Sequence, residues 1–361
     1  MLTSMQSIAT RNKELLCQEC FSVLRLMKAD AKIYFLIAAI VASISFFTSL
    51  NGFDNNLRWF AYMYAMQWVV FFSFAFAFIG YFLLLIVRRE SRPLLCYRNK
   101  LIEVWEFRAN ILSAFILLTA MSAFISSFST MKSLIPIVHP FAYDQLFYDI
   151  DLWLFGGKEP WRIIHIIVDS PTCMMLINIA YKLWFLLIWA VLAYFLLAND
   201  TKARHQYLIS WVLCWFLLGT VLAMLLSSAG PAFVERLEYS STGYSDLMMQ
   251  LRHHHQWLIS NGFVGIWALN TQDELWWAYY NGKEMLGSGI SAMPSMHVSM
   301  SVLMAMGCWT LNRCIGLFMW LFAAVIYVGS IALGWHYAID GLVSLPLTVF
   351  IWKLVGKYSR A

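Results

Sequence analysis

Two short polar stretches at the edges of long apolar runs hold the residues with the clearest chemical potential. They are Pro294-Ser295-Met296-His297 and Gly334-Trp335-His336-Tyr337-Ala338-Ile339-Asp340. A carboxylate beside a histidine fixes the imidazole tautomer, frees the other ring nitrogen for attack and stabilises the cation that forms. Here Asp340 is placed to do this for His336. A second histidine, His297, can donate a proton to a leaving oxygen. Ser295 and the N–H groups opening the helix that contains His297 would offer donors to anionic oxygens, and Pro294 suits a first helical turn. Such a set points to phosphoryl transfer on a lipid.

The elements that must position these residues are membrane helices. The chain has 361 residues, 61% of them hydrophobic and only 12% charged, with a mean hydropathy of +0.66. Soluble domains carry about twice that share of charge. Apolar runs near the ~20 residues needed to cross ~30 Å of hydrocarbon fall at 32–50, 65–87, 108–128, 172–198, 207–228, 294–311, 315–333 and 338–356. The expected fold is therefore all-α and integral to a membrane, with about eight transmembrane helices. The organisation read from these runs is a cytoplasmic segment 1–31, two accessory helices within 32–107, and a six-helix domain over 108–361. Two long outer connections, 129–171 and 229–293, interrupt that domain. Residues 14–27 mix apolar and charged side chains and predict an interfacial amphipathic helix.

Orientation follows from the basic residues. One side carries seventeen: Arg11, Lys13, Arg25, Lys28, Lys32, Arg88, Arg89, Arg92, Arg98, Lys100, Arg108, Lys202, Arg204, Arg313, Lys353, Lys357 and Arg360. The other carries seven: Arg58, Lys132, Lys158, Arg162, Arg236, Arg252 and Lys283. The positive-inside rule puts both termini in the cytoplasm, so His297, His336 and Asp340 meet at the opposite face. The net charge of +5 reflects those cytoplasmic loops and implies no nucleic-acid partner.

At the two polar stretches the sequence resembles the type 2 phosphatidic acid phosphatase superfamily, which includes vanadium haloperoxidases. Its second motif, Pro-Ser-Gly-His, appears as Pro294-Ser295-Met296-His297. Its third, Ser-Arg-x5-His-x3-Asp, appears as Gly329-Ser330-x5-His336-x3-Asp340. The resemblance implies a six-helix catalytic bundle preceded by two extra helices, transient phosphorylation of His336, orientation of His336 by Asp340, and protonation of the leaving group by His297. It implies no metal or other cofactor. Three departures stand out: Ser330 in place of the third-motif arginine, Met296 in place of glycine, and no clean Lys-x6-Arg-Pro first motif. They resemble the inositol phosphorylceramide synthase branch, as do Asp144-x6-Asp151-x3-Phe155-Gly156 and Ser227-Ser228-Ala229-Gly230-Pro231-Ala232-Phe233.

A bound phosphate needs positive or donating partners, and without the arginine the candidates are Ser295, Ser330 and Lys182, with Arg162 and Arg236 behind them. Lys182 lies about 16 Å along its helix from Pro171, near mid-membrane, where a lysine must face a polar cavity or a counter-charge. His253-His254-His255 reads as a solvated loop rather than a metal site, because consecutive side chains splay apart. Cys17-x-x-Cys20 has no second ligand pair, and Trp276-Trp277 with Tyr279-Tyr280 suit a headgroup-level aromatic belt. The expected activity is transfer of a phospho-headgroup from a membrane lipid phosphate to a polar alcohol acceptor. The alternatives are hydrolysis by a lipid phosphatase of phosphatidate or polyprenyl phosphate type, a catalytically dead lipid-binding relative and, more remotely, transport of a lipid-linked anion. The absence of a cleaved signal and of outer-loop cysteines suggests a bacterial inner membrane, with the site facing the periplasm.

Overall fold

The computed structural model describes residues 18–199, 201–237, 243–283, 287 and 289–358. Among these, every regular element is a helix. Residues 18–29 form α1. It is followed by α2 (Ala31–Leu50), α3 (Ala61–Val87), α4 (Pro93–Glu106), α5 (Arg108–Val138), α6 (Asp144–Leu154), α7 (Pro160–Val168) and α8 (Pro171–Leu197). Next comes α9 (Lys202–Phe216), which continues through a π segment, Leu217–Leu222, to Leu225. The remainder are α10 (Pro231–Val234), α11 (Tyr244–Ser260), α12 (Trp267–Tyr280), α13 (Met296–Leu311), α14 (Arg313–Ala332) and α15 (Ala338–Tyr358). The chain divides into two compact units, Met1–Ser127 and Phe128–Ala361.

Among the described residues, seven helices are long and apolar enough to cross a bilayer: α2, α3, α5, α8, α9 with its extension, α14 and α15. The protein is thus an all-α integral membrane protein. The eighth expected span, α13, has only 16 residues, about 24 Å at 1.5 Å per residue. Its environment explains why that suffices. Every residue from Val298 to Ala305 is buried, polar Ser299 and Ser301 included, because α8, α9, α14 and α15 surround it. A helix enclosed by protein need not match the lipid thickness. Outward-facing side chains such as Phe185, Leu186, Phe318 and Leu321 are exposed and apolar, as hydrocarbon rather than water requires.

The structure corrects several sequence boundaries. Helix α5 runs on to Val138 instead of stopping at 128. Its Ser126, Ser127 and Thr130 lower the hydropathy but face inward and are buried, so the helix continues with a polar stripe inside the protein. The two long connections, 129–171 and 229–293, are largely helical over their described residues, containing α6 and α7 in one and α10, α11 and α12 in the other. His253-His254-His255 lies within α11, not in a loop, because Leu247, Leu251 and Leu258 give that segment a buried helical face. Of the expected N-terminal helix, residues 18–29 are helical; residues 14–17, including Cys17, lie outside the described residues.

Candidate active site

The site is assembled where α13 begins and where α14 turns into α15. Ser295 caps α13: its backbone is extended and its Oγ accepts the Val298 N–H at 3.4 Å. Pro294 therefore precedes the cap rather than occupying the first turn. This geometry puts His297 in the first turn of α13, under Tyr181 and Trp184 of α8, whose ring centroids lie 4.6 and 4.5 Å from its own. Tyr181 and Trp184 share a helical face by their three-residue spacing. The Trp184 indole also donates to the His297 carbonyl at 3.1 Å.

The second histidine sits in a tight turn. The Ser330 carbonyl accepts the N–H groups of Trp335 (2.9 Å) and His336 (3.0 Å), reversing the chain just after α14. Gly334 makes this possible with φ +72, in the left-handed region. His336 lies two residues before α15, so it does not share a helical face with Asp340. The turn brings them together instead. His336 Nδ1 is 3.1 Å from Asp340 Oδ2, which also accepts the Tyr337 N–H at 3.1 Å. With Nδ1–H donated to the carboxylate, Nε2 carries the free lone pair. The two imidazole centroids are 5.9 Å apart, within reach of one phosphoryl group.

Two further carboxylates hold this turn in place. Asp151 Oδ2 accepts the Ala338 N–H (2.7 Å) and Asp151 Oδ1 the Ile339 N–H (2.9 Å), satisfying the orphan donors at the start of α15. Burial pushes the Asp151 carboxyl up to about 7 despite these donors. Asp144 accepts the N–H groups of Ala229 (2.9 Å) and Gly230 (2.8 Å) and the Tyr337 hydroxyl (2.9 Å). Its carboxyl is also raised by burial. The Ser227–Phe233 segment then joins the two motifs. Ser228 accepts the Ala292 N–H through its carbonyl (3.0 Å) and the Met293 N–H through its Oγ (3.2 Å), while Ala232 N–H donates to the Gly334 carbonyl (2.9 Å). Gly230, at φ +91, passes so close to Ala292 and Trp335 that a Cβ would lie 2.8 Å from the Ala292 Cβ.

The other sequence candidates are distributed as follows. Ser295 is fully buried, and its N–H faces the Asp340 carbonyl at 3.4 Å. Ser330 is also buried, and its hydroxyl donates to the Tyr327 carbonyl at 2.7 Å. Lys182 Nζ donates to Thr271 Oγ1 at 3.0 Å, with its charge in electrostatic range of both Glu274 and His297. Arg162 and Arg236 are engaged elsewhere, with Glu159 and Asp246, and with Asp273, respectively. Met296 has a structural counterpart for its extra bulk: Gly219, in the π segment, where a Cβ would come 3.2 Å from the Met296 sulfur.

Sequence reasoning missed Lys132. It lies on α5 beside the strand of chain leading into Ser295, so close that a Cβ at Gly289 would meet its backbone at 2.9 Å. Its charge also falls within electrostatic range of His297. A signal existed: Lys132-x6-His139-Pro140 differs from Lys-x6-Arg-Pro at one position. The bracing roles of Asp144 and Asp151 were likewise unassigned, although both aspartates stood out in the sequence.

A family model for the PAP2 superfamily matches residues 145–354, more than half of the chain. No curated protein and no solved structure matches it. The match covers His297, His336, Asp340 and the Ser227–Phe233 segment, and supports an enzyme of the lipid phosphatase or phosphotransferase type. The chain belongs to the PAP2 superfamily.

Proposed function

We propose that the protein cleaves a lipid phosphate ester through a phosphohistidine at His336 and passes the phosphoryl-bearing group to an alcohol acceptor. His336 Nε2 attacks phosphorus, and the bond to the leaving oxygen breaks. His297 donates a proton to that oxygen, while Asp340 stabilises the imidazolium through Nδ1–H. In the second half, His297 takes the proton of the acceptor hydroxyl, whose oxygen attacks phosphorus and releases His336. The single observation that supports this reading best is the 3.1 Å contact between His336 and Asp340 with the His297 ring 5.9 Å away.

Transfer rather than hydrolysis is favoured by the resemblance of the Pro-Ser-Met-His stretch and the two upstream segments to the inositolphosphotransferase branch. Ser295, Ser330 and Lys182, with Lys132, are the proposed partners of the phosphate. The asymmetry of basic residues puts the site at the non-cytoplasmic face, in a bacterial inner membrane the periplasmic one. Product analysis on purified protein in defined lipids tests the reaction. A product with the phosphoryl-bearing group esterified to the added alcohol supports transfer; release of that group to water alone rejects it in favour of a hydrolase.

A further inference from the structure

We infer that Tyr181 Oη and Trp335 Nε1 are donors to the phosphate oxygens of this site, neutral replacements for the arginine that Ser330 displaces. The inference rests on the phosphohistidine reading and deepens it. The Ser330 hydroxyl can replace only part of the arginine, since it is short, carries one proton and donates it to the Tyr327 carbonyl in the unliganded fold. Beside Ser295, Lys182 and Lys132, further donors can meet the phosphate's non-bridging oxygens, where donors contribute most once water is excluded.

Tyr181 occupies the right place. Its side chain packs beside Gly329, the neighbour of Ser330, where a Cβ would lie 3.4 Å from the tyrosine ring. The same ring lies beside His297, with centroids 4.6 Å apart and planes tilted by 31°, and its hydroxyl is within electrostatic range of Asp340. Trp335, immediately before His336, lies parallel to Tyr181, with planes 2° apart and centroids at 6.3 Å. Tyr181 is only 5% exposed. Its hydroxyl and the Trp335 indole N–H are both buried, and neither has a hydrogen-bond partner among the described residues. Buried donors are normally paired, because an unpaired one has lost its water and gained nothing. Two such donors, one on a ring beside His297 and the other on the residue preceding His336, fit a site whose partner is the ligand. They give the phosphate ester of a lipid directional contacts without adding further charge to a buried site, where charge is costly.

Orthovanadate binding to the full-length protein in detergent, measured by calorimetry, tests this together with thermal unfolding. Tyr181→Phe keeps the ring and removes only the hydroxyl. The expected result is about a tenfold to hundredfold loss of vanadate affinity, with a melting temperature that stays the same or rises, since the unliganded fold loses only an unpaired group. Trp335→Phe should shift affinity in the same direction. Unchanged affinity in both variants would overturn the inference. So would a fall in melting temperature that accompanies the affinity loss, because it would mark the hydroxyl as structural. Full turnover by His336→Ala would instead remove the phosphohistidine reading and this inference with it, so the two failures are told apart.

Discussion

The protein holds two concentrations of histidine whose fates differ completely. His297 and His336 are far apart in the chain, yet their rings lie 5.9 Å apart around one buried carboxylate. His253, His254 and His255 are consecutive, yet each has its own surroundings. His253 is exposed, His254 turns inward to Asp169 at 3.2 Å, and His255 Nδ1 accepts the Ile266 N–H at 3.0 Å. Helical geometry spreads neighbours by about 100° each, so adjacency in sequence separates them, whereas a reversal braced by Ser330, Asp144 and Asp151 gathers distant ones. Chemistry here follows the backbone donors that fix a side chain, not the local density of imidazole.

That contrast can be broken most severely at His336. His336→Ala should cost at least about 10⁵-fold in turnover, whereas His253→Ala should cost nothing measurable. Next comes Asp340→Asn, expected to lower kcat by about 10³–10⁴-fold through loss of the tautomer and of imidazolium stabilisation. Its KM should barely move, which a steady-state comparison with wild type checks. His297→Ala should cost about 10²–10⁴-fold. Much of that should return with a substrate whose leaving group needs no proton, and failure of such rescue would argue against a general acid at this position.

A smaller effect sharpens the role of the braces. Asp151 ionises near 7 in the fold against 3.8 for an ordinary carboxyl. Between those values the folded chain holds a proton that the unfolded chain has released, so stability falls as pH rises from about 4 to 7. Asp151→Asn should remove that part of the slope in unfolding measured across this range; an unaltered slope would assign it to another group. The smallest change is expected at the second histidine region. His253→Asn, on the exposed face of α11, should leave turnover within about twofold, the size of an ordinary surface change.

Much of the fold was legible because bilayer thickness writes itself into the length of apolar runs. The spans now seen as α2, α8, α14 and α15 were placed within a few residues. Where reading failed, the hydropathy pattern was interrupted by inward polarity. Helix α5 continued past Ser126, Ser127 and Thr130 because these face protein, not lipid. The meeting of His297, His336 and Asp340 was legible from charge asymmetry and spacing, whereas the turn stitched to the Ser330 carbonyl that brings them together was not. Asp144 and Asp151 act by accepting backbone N–H groups more than 80 residues away, and no local pattern encodes such a partner. Lys132 was hidden by a single exchange, His139 for arginine, in an otherwise matching spacing.

The central claim is that His336 carries the phosphoryl group. Turnover quenched in alkali, where phosphohistidine survives, followed by peptide mass spectrometry, tests it directly in the wild type and in His297→Ala. The account predicts phosphate on the peptide containing His336, at that residue alone, with accumulation altered when His297 is absent. Phosphate on a different residue, or turnover with His336 unmodified at every time point, would contradict it.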